Sequence, residues 1–206
     1  MSGSLLHRAA GCSILRKKRV VPENRSKTET GAAMELFNSR RITNIGVMTA
    51  IYVVATLLCA PFAYKEVQFR ISEILMLFCF FNKDYVISLT LGCFIVNLWS
   101  PMGYLDVAFG TIATVIAAIL IYLLRKRINL FVASLFPVVM NGLLIGAELN
   151  YVYKSPFWLN AALVALGEFV CVSIIGVIVV SLMKKNNSFM KLVMAGTDIK
   201  QTYENK

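Results

Sequence analysis

The feature that most constrains this chain is a succession of apolar runs separated by short polar breaks. Crossing ~30 Å of hydrocarbon takes ~20 mostly apolar residues in a helix. Runs of that kind occur at Ile42–Ala63, Tyr85–Trp99, Leu105–Leu124, Leu130–Leu149 and Leu159–Met183, with a shorter one at Phe69–Phe81. Hydrophobic residues make up 58% of the chain and charged ones only 16%, against ~25% charged in a typical soluble domain. One soluble core cannot hide so much apolar surface, whereas a bilayer can. The expected fold is therefore all-α: a polytopic membrane protein with six transmembrane helices.

The shortest run is the doubtful one, since Arg70, Ser72 and Glu73 stand at its start. Charge placement resolves it. Lysine and arginine accumulate on the cytoplasmic side of short loops. With six spans and the N-terminus inside, 18 of the 21 basic residues fall on the cytoplasmic side, and only Lys65, Arg70 and Lys154 fall outside. Removing the second span would carry Arg125, Lys126, Arg127 and the basic C-terminal segment outward. Both termini are accordingly expected in the cytoplasm. Residues 1–40 read as a basic, disordered cytoplasmic leader, 41–184 as the six-helix membrane domain, and 185–206 as a cytoplasmic tail. The leader has no apolar stretch long enough for a signal peptide, and Met34, close before the first span, reads as an alternative start.

Composition also excludes several functions. The net charge of +10 gathers at helix ends and not on a basic surface with interleaved aromatics, which argues against nucleic-acid binding. The five cysteines are scattered without a CxxC pair, and the single histidine, His7, lies in the leader, so neither a metal site nor a cofactor site is written here. No GxxxxGK[ST], HExxH or GxSxG motif is present. The chain reads as neither an ATPase nor an intramembrane enzyme, and no catalytic residue is assigned.

Ionisable side chains within membrane spans are costly and mark functional sites. Under the six-span topology Glu73, Asp106, Glu148 and Glu168 all fall in the outer half of the membrane, together with Gln68, Arg70, Asn97 and Asn141. These eight are the candidate substrate-binding residues. Asn141 and Glu148 (i, i+7) share one helix face, as do Arg70 and Glu73 (i, i+3), and Asp106, Gly110, Ala113 and Ala117 form a stripe behind the acid. Structural roles stand beside this reading. Arg70 and Glu73 can pair at a helix end, Asp106 can cap its helix, and Asn97 can end one. Glu168, ~13 Å deep at 1.5 Å per residue and without a base on its helix, is the hardest to explain structurally. Trp99, Tyr104, Tyr151, Tyr153, Phe157 and Trp158 mark the outer interface as an aromatic belt, from which one or two rings could stack on a flat ligand. Gly46, Ala50 and Ala55 give the first span a small-residue face, suited to packing within the bundle or to a partner.

Several segments resemble the QueT family of queuosine-precursor transporters. They are Val67-Gln68-Phe69-Arg70-Ile71-Ser72-Glu73, Gly92–Leu98, Leu105–Thr111, Asn141-Gly142, Gly146–Leu149 and Gly167-Glu168. The likeness spans about residues 40–183. It implies a substrate-binding S component of an energy-coupling factor (ECF) transporter in a bacterial plasma membrane. It also implies a 7-deazaguanine precursor as substrate, a transmembrane coupling subunit, two cytoplasmic ATPases, and a partner face at Gly46, Ala50 and Ala55. A stand-alone proton-coupled or facilitative permease, or capture of another vitamin or purine-like solute, is the competing expectation.

Overall fold

A computed structural model describes residues 39–59 and 70–194. Residues 1–38 of the leader, with the Met34 start, and the last residues of the tail lie outside this range; Ser39 and Arg40, read as leader, begin the first helix. Among the described residues the chain is all helix, with no strand. The helices are α1 (Ser39–Leu58), α2 (Ile71–Phe80), α3 (Asp84–Asn97), α4 (Tyr104–Leu124), α5 (Leu130–Tyr153), α6 (Phe157–Met183) and the short α7 (Asn187–Val193). Four of them, α1, α4, α5 and α6, are long and apolar enough to cross a membrane, while α2 and α3 are apolar but shorter. The apolar runs located every helix of the bundle; α5 continues a turn beyond the expected Leu149, to Tyr153.

Short connections fix the topology. Residues 98–103, 125–129 and 154–156 join α3 to α4, α4 to α5 and α5 to α6, and helices joined by so few residues run antiparallel side by side. The connections 98–103 and 154–156, with the start of α2, therefore lie at one end of the bundle. Residues 81–83 and 125–129 lie at the other.

Apolar surface alone does not hold helices together in lipid, so close van der Waals approach must. The α5–α6 pair shows how. Gly142 and Gly146 face Ala161 and Ala165, and a Cβ on Gly146 would lie 2.8 Å from the Ala161 Cα. α4 adds Gly110, Ala113 and Ala117 to the interior. Gly103, at φ 61° before α4, takes a left-handed turn that other residues adopt only at a cost.

α2 is the buried centre. It contacts α1, α3, α4, α5 and α6, and Ser72, Glu73, Ile74, Met76, Leu77, Phe78 and Cys79 are all buried. A helix surrounded by protein need not satisfy lipid, which is why the shortest apolar run also carries the polar residues. It is wound as a 3₁₀ helix; ten residues at ~2.0 Å each reach ~20 Å, against ~15 Å as an α-helix. α6 departs the other way. It is α-helical over Phe157–Glu168, π-helical over Phe169–Gly176 and α-helical again over Val177–Met183.

At the end opposite the 98–103 connection, Arg41 makes a two-pronged pair with Asp84 at 2.8 and 2.5 Å, tying α1 to α3. α7, within the stretch read as tail, packs Val193 and Met194 into the core. The Asn82 amide and the Tyr85 hydroxyl both donate to the Val193 carbonyl, at 3.1 Å each.

Candidate functional site

The start of α2, the end of α3, the start of α4, the end of α5 and the first half of α6 converge at the end bearing 98–103 and 154–156. Their polar side chains are drawn inward. Arg70, Glu73, Asn97, Asp106, Asn141, Glu148 and Glu168 are all buried, Glu73, Asp106 and Glu148 at 0% exposure. Seven of the eight expected site residues thus share one interior region; Gln68 lies outside the described residues.

The carboxylates differ in how they are held. Asp106 accepts a hydrogen bond from the Ser100 hydroxyl and lies 3.7 Å from Arg70 Nη2. Asp106 does not cap α4: the cap position is Gly103, without a side-chain bond. Arg70 reaches across to α4 as well as standing three residues from Glu73. Asn97 does more than end α3, because its Nδ2 donates to the Asp106 carbonyl at 3.0 Å and to Cys93 Sγ at 3.3 Å. Gly110 leaves room for this arrangement, since a Cβ there would collide with the Asn97 amide.

Glu73 and Glu168 are held alike. Glu73 Oε1 accepts from the Tyr52 hydroxyl at 2.5 Å, and Glu168 Oε1 accepts from Asn141 Nδ2 at 3.0 Å. In each, the second oxygen, Oε2, is buried without a hydrogen-bond partner. The two are electrostatic neighbours. Neither Glu148 oxygen has an N–H or hydroxyl donor from the protein, but its carboxyl lies within hydrogen-bonding range of the Asp106 carboxyl, so the two can share a proton. Asn97 Oδ1 is a further buried acceptor without a donor. A buried acceptor left unmatched costs ~1–3 kcal/mol, more when charged, and acceptors concentrated like this can receive the N–H donors of a ligand. Among the described residues four carboxylates face one guanidinium, a balance that suits a neutral or cationic molecule better than an anion. Among the described residues, no group of His, Cys, Asp and Glu is arranged to hold a metal ion.

Two contributors were not foreseen. Tyr52 is 1% exposed on α1, and Ser100 is buried in the 98–103 connection. The signal for Tyr52 was its polar partner one turn on: Thr56 donates to the Tyr52 carbonyl and accepts from the Ser72 hydroxyl. A hydroxyl pair on one face of an apolar helix points inward. The aromatic residues of the expected belt do not enter the site. Trp99, Tyr104, Tyr151, Tyr153 and Trp158 are exposed, and Phe157 is half-buried. On α1, Gly46 and Ala50 are exposed and Ala55 is half-buried; nine residues on from Gly46, Ala55 lies about 180° around the helix, so the three do not share one face.

Comparison with known proteins gives two matches. The QueT transporter family profile matches residues 42–185. A protein of Lactococcus lactis subsp. cremoris (strain MG1363), described as queuosine precursor transporter QueT, is 34% identical over 143 residues, covering 62% of this chain and 83% of that protein. No solved structure matches.

Proposed function

The chain belongs to the QueT transporter family, and on that premise we propose that it captures a queuosine precursor, a 7-deazaguanine derivative, for uptake. It is a multi-pass protein of the bacterial plasma membrane. In this reading it crosses six times, with both termini in the cytoplasm and the site open to the outside. It serves as the substrate-binding S component of an ATP-driven ECF transporter, with a transmembrane coupling subunit and two cytoplasmic ATPases as partners. The exposed Gly46 and Ala50 side of α1 docks the coupling subunit.

The observation that carries the substrate assignment is the set of buried carboxylate oxygens without donors at Glu73, Glu148 and Glu168. A deazaguanine presents a ring N–H and an exocyclic amine side by side. The open oxygens of Glu73 and Glu168 accept one each. Glu148, paired closely with Asp106, suits a second donor group or a cationic substituent. Asn97 Oδ1 offers another acceptor, and Arg70 can donate to the ring carbonyl.

Two measurements test this. The purified subunit should bind 7-deazaguanines at equilibrium without ATP. Uptake into vesicles should require the coupling subunit, the ATPases and ATP, and Ala50→Trp should block that uptake while leaving binding nearly intact. Uptake by this chain alone would instead establish a stand-alone permease.

A further inference from the structure

α1 is the least enclosed of the long helices, yet it sends one large side chain fully into the interior. Tyr52 is 1% exposed and reaches Glu73 Oε1 at 2.5 Å. The path it takes is shaped for it. Gly92 of α3 lies under the ring, and a Cβ there would come within 2.8 Å of Tyr52 Cδ1 and 3.0 Å of Cγ, so any larger residue would displace the ring. The backbone is fixed as well, because Thr56 bonds the Tyr52 carbonyl at 2.9 Å and Ser72 Oγ, beside Glu73, at 2.6 Å. Thr49 adds a bond to the Ser88 carbonyl at 2.9 Å.

A phenol hydroxyl has one proton to donate. Given to Glu73 Oε1, it defines which carboxylate oxygen is committed and which is open, and it holds the carboxylate plane in one orientation. We propose that Tyr52 is a positioning residue for substrate recognition, anchoring Glu73 so that Oε2 is presented to a donor group of the substrate. Asn141 does the same for Glu168 from the other side of the site. The two anchored carboxylates offer one open oxygen each, and Tyr52 acts on the substrate only through Glu73. This inference rests on the capture of a donor-rich deazapurine proposed above.

A double-mutant cycle separates positioning from bulk structural support. The probe is 7-deazaguanine, titrated against the purified full chain in detergent, with thermal unfolding of each variant recorded in parallel. Tyr52→Phe should weaken binding about 10-fold in the wild-type background, the scale of one hydrogen bond to a charged group. In the Glu73→Gln background the same change should cost less than about 2-fold, since its effect is routed through the carboxylate. Gly92→Ala, which keeps the tyrosine but displaces its ring and so draws the hydroxyl away from Glu73, should reproduce the first loss and takes the place of Tyr52→Phe in the cycle if that variant unfolds. An equal loss in both backgrounds, no loss in the wild-type background, or unchanged binding by Glu73→Gln would each overturn the positioning role. A wild-type chain that binds no 7-deazaguanine would overturn the proposed substrate, and this inference with it.

Discussion

Glu168 sits where the α-wound part of α6 gives way to its π-wound stretch, with Asn141 on one oxygen and nothing on the other. Replacing it with Gln keeps the shape while removing the charge and one acceptor. We expect Glu168→Gln to lose ~2–4 kcal/mol of binding, the range for removing one partner of a buried charged hydrogen bond. Lys185→Gln, exposed at the opposite end, should change nothing. Titration calorimetry with 7-deazaguanine checks both, and wild-type affinity in Glu168→Gln would make that carboxylate structural. The four acids were legible in sequence because a carboxylate within an apolar run has no inexpensive structural use in a membrane. Tyr52 and Ser100 were not, because a tyrosine or serine near a membrane helix has many ordinary uses. What singles them out is contact with Glu73 and Asp106, which only the folded chain supplies.

At the level of helices, the apolar runs gave positions but not winding. α2 is buried on nearly every side, so no polar face remains from which a turn of 3.0 residues could be told from one of 3.6. The π stretch of α6 is apolar throughout apart from Ser173, which bonds Ser134 at 2.9 Å, and it is silent for the same reason. Both irregular segments flank the site, in line with the tendency of π stretches to occur at functional positions. α1 joins the site to the proposed partner face, since it carries Tyr52 inward and Gly46 and Ala50 outward. Two glycines test how much the packing of helices depends on missing side chains. Gly146→Ala forces a methyl onto the Ala161 backbone at 2.8–2.9 Å and should destabilise by ~1–3 kcal/mol, the usual cost of overpacking. Gly46→Ala meets nothing within 4 Å and should be neutral or stabilise by up to ~1 kcal/mol through helix propensity. Thermal unfolding of the isolated subunit in detergent reads both, and equal midpoints would mean that α5 and α6 do not rely on that close approach.

For the molecule as a whole, orientation rests on charge. Four helices have the length and hydropathy of spans, and α2 and α3 are too short to be counted on those grounds. The six-span reading draws its support from the basic residues, 18 of 21 on one side when α2 is counted as a crossing. The position of α2 adds a physical reason. A segment enclosed by five neighbours need not be long or uniformly apolar, because protein and not lipid surrounds it. If α2 did not cross, Arg125, Lys126, Arg127 and the residues after Met183 would face outward against the usual bias. Single cysteines report which side each segment occupies. With the five native cysteines replaced, cysteines at the exposed positions Lys126 and Lys185 should be shielded from an impermeant thiol reagent in intact cells. One at Lys154, exposed beyond the end of α5, should react. Permeabilising the cells should expose the first two and leave Lys154 unchanged, which shows that the shielding comes from the membrane and not from a docked partner. Labelling at Lys126 from outside, with Lys154 silent, would invert the bundle and turn the carboxylate end toward the cytoplasm, where capture from the medium could not begin.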